Sequence, residues 1–296
     1  MIGRMSVGQT NRDFLADLLT NSRRLDEAQR RVSTGKRISS PADDPLGISQ
    51  ALRLRQDQAS TAAWSSNIDD SQTWLATTDT ALDNATQVLQ RARELAVQGA
   101  NGALSTSARA TLANEVQGLL GQMVEIGNTA LGGRSIFGGT RTQSPAFSPT
   151  GAFQGNTGAI TRETGPGQVI QVNVTGQQLM GPGGSVPDVF ATLSQLAGDL
   201  SSSNQTGIQS SLATLDAHIT NVNAIRGQVG AKVNQLELGK SRFATAGIAT
   251  SDQLSSIEDA DMAQAITDLK TREDLYRASL GVGGRVLQPS LLDFLR

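Results

Sequence analysis

The chain has no cysteine. That excludes a disulfide framework and thiolate chemistry. It has one histidine, His218, so no second imidazole or thiolate can join it on a metal. His218 reads as a solvated helix residue beside the seam position Ile219, and the metal set is empty. Aromatic residues make up only 3% of the 296, with seven Phe, two Trp and one Tyr. Round cores lean on aromatic bulk, whereas narrow seams of Leu, Ile, Val and Ala do not need it. Neither sign of charge dominates: 25 basic residues face 27 acidic ones, for a net charge of −2. No broad basic field is available for nucleic acid or anionic lipid. The basic group Arg23, Arg24, Arg30, Arg31, Lys36 and Arg37 reads as the wet side of a helix. No run of about eighteen apolar residues appears, which rules out a membrane-spanning helix. The first residues, MIGRMSVGQTNRDF, lack the apolar core of a cleavable secretory signal. Cytoplasmic residence is then the default, unless export leaves no cleavable mark.

What the chain does have is heptads. Ile68, Leu75, Leu82, Leu89 and Ala96 recur every seven residues. Thr78, Ala85, Ala92 and Gly99 fall three or four residues off that ladder. This is a coiled-coil seam in a helix over 44–99, with Asp44 as cap and Pro45 in the first turn. At 1.5 Å per residue such a helix is roughly 80 Å long. Before it, Phe14, Leu18, Asn21, Leu25, Ala28 and Val32 form a second heptad helix. A seam Asn can fix register and partner number, the alternative being that Asn21 merely borders the seam. STGKRISSPADDP at 33–45 ends that helix at Gly35 and turns into the long one, as a plain loop or as a joint setting the angle between helical layers.

Ser105 caps a third helix carrying Leu112, Val116, Leu119, Met123, Ile126 and Ala130, which folds back antiparallel and ends at Gly132-Gly133. Residues 132–190 are dense in Gly and Pro. There VIQVNVTG alternates Ile170, Val172 and Val174 with Gln171 and Asn173, the period of a strand, and AITRET just before it is a candidate partner strand. Phe147 and Phe153 supply the core of this insert. Val189, Leu193 and Leu196 restart the helical pattern, and SSSNQTG breaks it. Leu215, Val222, Val229, Leu236 and Phe243 then form another long ladder. From Ile257 a tail helix begins, with Glu258, Asp259 and Asp261 in its first turn. It carries Met262, Ile266, Leu269, Glu273, Tyr276 and Leu280. The chain closes on Leu291, Leu292, Phe294 and Leu295.

No catalytic constellation survives inspection. Asp43-Asp44 and Asp69-Asp70 are adjacent on helices and do not converge. Glu258, Asp259 and Asp261 are not followed by a calcium loop. The glycine pairs do not open a helix after a strand with a lysine, and no Gly-x-Ser-x-Gly elbow occurs. The reading is of a non-enzyme with no cofactor.

The fold class that results is mainly α: an elongated antiparallel helical bundle, or coiled coil, with a small β-rich insert. Residues 1–43 and 257–296 form terminal coiled-coil helices, an assembly layer. Residues 44–135 and 190–256 form a long helical bundle, and 136–189 a β-rich insert facing outward. Neither terminal helix has enough partners within one chain to cover its seam, and each alone is marginal in water. Self-association follows, with the ends ordered on assembly. The candidate interface is Phe14, Leu18, Leu25, Val32, Met262, Ile266, Leu269, Tyr276, Leu280, Leu291, Leu292, Phe294 and Leu295.

STGKRISSPADDPLGISQAL at 33–52 resembles the N-terminal signature of the bacterial flagellin family, and IEDADMAQAITDL at 257–269 resembles the C-terminal one. SPADDP at 40–45, GRSIFGGTRTQSPAF at 133–147, GQVIQVNVTG at 167–176 and the ending QPSLLDFLR are similar to the hook-associated branch rather than to filament flagellin. The resemblance implies a secreted structural subunit of the extracellular flagellum, at the junction between hook and filament. The implied partners are copies of itself in a ring, hook-associated protein 1, flagellin and a cytoplasmic export chaperone near the C-terminus. The implied export route is the flagellar type III apparatus. The alternatives are filament flagellin itself and, more remotely, an enzyme or adhesin with its site in the β insert.

Overall fold

A computed structural model of the chain describes residues 7–181 and 187–286. Seven α-helices and four short strands follow in the order α1 (Val7–Thr34), α2 (Pro45–Gly99), α3 (Thr106–Gly127), β1 (Ala130–Leu131), β2 (Arg134–Ser135), β3 (Thr161–Gly165), β4 (Gln168–Gln171), α4 (Gly176–Met180), α5 (Val189–Ser201), α6 (Gln205–Glu258) and α7 (Met262–Val286). The mainly helical architecture with a small antiparallel β insert agrees with the heptad reading. Contacts divide the chain into two compact units, Met1–Ser60 with Ala246–Arg296, and Thr61–Thr245.

In the second unit the seam of α2 is the core. Ile68, Leu75, Leu82, Leu89 and Ala96 are all fully buried, and so are Thr78, Ala85 and Ala92. Burying each of these leucines contributes about 1.5–3 kcal/mol. Thr78 in the seam and Thr86 beside it, both buried, leave no hydroxyl unpaired, because Thr78 Oγ1 donates to the Trp74 carbonyl and Thr86 Oγ1 to that of Leu82. Against this seam lie Leu215, Val222, Val229 and Leu236 of α6. Ion pairs fix the register: Arg93 with Asp216, Arg226 with Asp79 and Asp83, and Lys240 with Asp69. Numbers rise on one helix as they fall on the other, so the helices are antiparallel. Helix α3 starts on the Ser105 cap, which accepts from the Ala108 amide, and packs on α5.

Helix α3 ends earlier than the glycine pair suggested. It stops at Gly127, capped by Asn128. The Asn128 amide group donates to the Phe147 carbonyl and accepts from the Phe147 amide, which pulls the chain out of helix and onto the insert. Gly132 and Gly133, both left-handed, instead make the turn of the β1–β2 hairpin. β3 and β4 pair antiparallel, with Arg162 opposite Ile170. The strand alternation fails at Asn173, which is buried rather than outward. Its side chain accepts from the Ile160 amide and donates to the Gly158 carbonyl, replacing the ladder beyond β4. The Phe147 and Phe153 rings pack tilted with centroids 5.4 Å apart, and the Phe190 ring lies 4.8 Å from that of Phe147.

His218 also departs from its sequence reading. It is 1% exposed, not solvated. Thr192 Oγ1 shares a 3.1 Å hydrogen bond with its Nε2, and burial holds the imidazole below its ordinary pKa. The ring closes over the backbone of Gly181, where a Cβ would collide with it.

Candidate assembly interface

In the first unit α1 and α7 pack antiparallel: Asn21 lies opposite Ser279, and Phe14 opposite Gly283. The α1 seam is where the spacing put it. Ala28 is buried, and Phe14, Leu18, Asn21, Leu25 and Val32 are half-buried. Asn21 Nδ2 donates to Ser279 Oγ at 3.1 Å, so the seam asparagine is matched across the pair. Phe14 sits on Gly283, where no Cβ would fit.

On α7 the covered stripe is displaced from the heptad positions. It runs through Ala265, Leu269, Arg272, Tyr276, Ser279 and Gly283. Leu269 and Tyr276 are half-buried, while Met262, Ile266 and Leu280 are 40%, 54% and 47% exposed. Leu275 and Val282 are bare on the opposite flank. The reason is that one partner helix covers only part of a wide apolar arc. The uncovered edge of α7 lies roughly a quarter-turn from α1 at the helical repeat. On α1, Leu15 and Leu19 are likewise exposed. Leu291, Leu292, Phe294 and Leu295 lie outside the described residues.

The tail helix does not begin at Ile257. Glu258 is the last residue of α6, and α7 starts at Met262 with Asp261 accepting from the Ala263 and Gln264 amides. The acidic residues are therefore divided between the end of one helix and the start of the next. What they do was missed by residue-by-residue reading. Lys36, placed above on a wet face, forms a bridge with Asp259, its Nζ 2.6 Å from Asp259 Oδ1 and 3.4 Å from Glu258 Oε2. Arg55 reaches the same Glu258 oxygen at 2.8 Å. Arg37 Nη2 donates to the Ile257 carbonyl, and the Glu258 carbonyl accepts from the Arg37 amide. The Ala260 amide in turn donates to the Gly35 carbonyl.

Glu258 is 1% exposed, a carboxylate buried between two cations. Asp43 closes the loop, accepting from the Ser39 and Ser40 amides, which holds its carboxyl below the usual range. The hydrogen bond from Lys36 does the same for Asp259, and Lys36 is raised in return. The linker at 33–45 is thus a joint. The signal that could have found it is opposite charge in two distant motifs, KR at 36–37 and ED at 258–259.

Residues 10–142 match the family described as bacterial flagellin N-terminal helical region, and residues 212–295 match its C-terminal helical region. Together the matches take in well over half of the chain. The chain belongs to the bacterial flagellin family. Among its relatives is flagellar hook-associated protein 3 of Escherichia coli, 28% identical over 271 residues, covering 84% of this chain and 86% of that protein. Flagellin of Listeria monocytogenes is 26% identical over 272 residues, covering 90% and 89%. Two solved structures share the fold. Bacillus cereus FlgL superposes with a TM-score of 0.61 at 23% identity, over 69% of this chain and 99% of that one. The flagellar junction protein FlgL of Legionella pneumophila gives 0.59 at 17% identity, over 70% and 100%.

The joint lies where the two flagellin regions meet. Lys36, Arg37 and Arg55 come from the N-terminal match, and Ile257, Glu258 and Asp259 from the C-terminal one. The resemblance carried by 33–52 and 257–269 therefore has a physical content. The two signatures bond to each other. Among the described residues no three of His, Cys, Asp or Glu converge as a metal site, and no helix is long and apolar enough to cross a membrane.

Proposed function

We propose that this chain is the structural subunit joining hook to filament, on which flagellin begins to polymerise, and that it is not an enzyme. The observation that carries the reading is the bare apolar edge of α7, Met262, Ile266 and Leu280, on a helix that packs on α1 and leaves that edge in water. Exposed large apolar groups in a row mark an interaction surface. In this reading, copies of the chain cover that edge in a ring. Hook-associated protein 1 lies below, flagellin adds above, and an export chaperone holds the C-terminal segment before secretion through the flagellar type III apparatus. Residues 1–43 and 257–296 act as the assembly layer, 44–135 and 190–256 as the bundle that carries it, and 136–189 face outward. The apolar residues Leu291, Leu292, Phe294 and Leu295, outside the described residues, are assigned to the same interface on their sequence alone.

The test is a double substitution on that edge, Ile266→Asp with Leu280→Asp. Both side chains are already half in water, so helical content stays as in the unaltered protein while filaments fail to grow. Normal filaments from that variant would refute the assembly role. The near-equal identity to a flagellin supports a second reading as filament subunit. Short filament seeds separate the two: a junction subunit does not elongate them indefinitely, and a label on isolated flagella marks only the distal end of the hook.

A further inference from the structure

The second unit contains a cleft of about 340 Å³ between α2 and the insert, lined by Asp70, Ser71, Trp74, Arg134, Arg162 and Val172. That volume lies at the low end for small-molecule sites, roughly 300–1,000 Å³. Its charges do not cancel internally. The Arg134 guanidinium lies 5.5 Å from the centroid of the Trp74 ring, a cation–π contact that fixes its plane. Its Nε is 3.5 Å from Thr142 Oγ1, and its two terminal nitrogens have no acceptor among the described residues. Arg162, half-buried on β3, makes no ion pair among them, and neither does Asp70. Trp74 is buried, and its Nε1–H has no acceptor. Ser71 Oγ already donates to the Asn67 carbonyl, which leaves it free only to accept.

The wall thus presents surplus donors from Arg134 and Arg162, with one anionic acceptor, Asp70. We propose that this cleft binds a small hydroxylated carboxylic acid of the sugar-acid class. Its carboxylate takes the guanidinium donors in the fork geometry they favour, and its hydroxyls donate to Asp70. Neither a neutral sugar nor a bare carboxylate satisfies both halves. This role is separate from the assembly edge on α7 and does not rest on it.

The chain has two tryptophans, Trp64 and Trp74, so tryptophan emission of the full-length protein carrying Trp64→Phe reports on the cleft. Sodium glucuronate, sodium acetate and glucose are titrated at constant ionic strength. The expected result is a saturable change with glucuronate, a midpoint for acetate at least about tenfold higher, the order that one charge-assisted hydrogen bond supplies, and none with glucose. Arg162→Gln abolishes the response with unchanged helical circular dichroism, and Asp70→Asn brings glucuronate to the level of acetate. No saturable response, an equal response to acetate, or full binding by both variants would overturn the proposal.

Discussion

Glu258 allows a test in which removing the cations costs more than removing the anion. Its carboxylate is 1% exposed, whereas Arg55 and Lys36 keep 53% and 39% of their side-chain surface in water. If Glu258 becomes Gln, the two cations rehydrate, Lys36 keeps Asp259, and the burial cost of the charge disappears. The loss is then that of the charge-assisted bonds less this relief, about 1–2 kcal/mol. If Lys36 and Arg55 both become Met, the carboxylate stays buried with no cation beside it. Breaking a buried pair that way costs about 3–5 kcal/mol, and loss of the exposed Lys36–Asp259 pair adds at most about 1 kcal/mol. Adding Glu258→Met to that double variant removes the stranded charge and recovers most of the loss. Amide hydrogen exchange at Ile38 and Ala260 reads the effect locally, since their N–H groups bond to the Glu258 and Gly35 carbonyls across the joint. The reasoning fails if the double variant is no less stable than Glu258→Gln, or if the triple variant is no more stable than the double.

Other expectations follow from the same geometry. His218 is the one histidine, and burial lowers its pKa, so the unfolded chain binds the proton more tightly. Stability is then complete above the ordinary value of about 6.5 and falls as pH drops below it; His218→Gln flattens that slope in denaturant titrations between pH 7 and 5. Asp43 and Asp259, held low, contribute stability present above the ordinary carboxylate range and lost as pH falls through their lower folded values, while Lys36, held high, contributes below its ordinary value and loses it as pH rises through the folded one. Exchange protection at the joint therefore falls at both ends, and Asp43→Asn removes its share of the acid limb. Gly127→Ala places a Cβ 2.6 Å from the Phe147 ring, which is buried and packed against Phe153 and Phe190, and costs about 1–3 kcal/mol in thermal or denaturant unfolding. Gly121→Ala, on the same helix with nothing near it, instead stabilises by about 0.5–1 kcal/mol.

The long seams were legible because burial there repeats with the helix itself. A residue every seven positions on α2 falls on one face, and every one from Ile68 to Ala96 is buried. Caps were legible for the same local reason: Asp44 accepts from the Gly47 amide, and Ser105 from that of Ala108. On α7 the apolar arc is wider than a seam, and spacing alone could not say which edge α1 covers. Met262, Ile266 and Leu280 share a heptad with Leu269 and Tyr276, yet they stay in water. Their place in the assembly edge rests on the arc left uncovered, not on the repeat.

Sequence alone determined where the long helices run, that α2 and α3 start on their caps, and that the insert carries strands, since each depends on neighbours within a turn or two along the chain. Only the tertiary structure decided that His218 is enclosed, that Asn128 ends α3, and that Lys36 and Arg55 meet Glu258. Those outcomes depend on groups brought together from as much as 222 positions away, as Lys36 and Glu258 are. Nothing in the local pattern of a polar residue reveals whether water or a distant partner satisfies its hydrogen bonds.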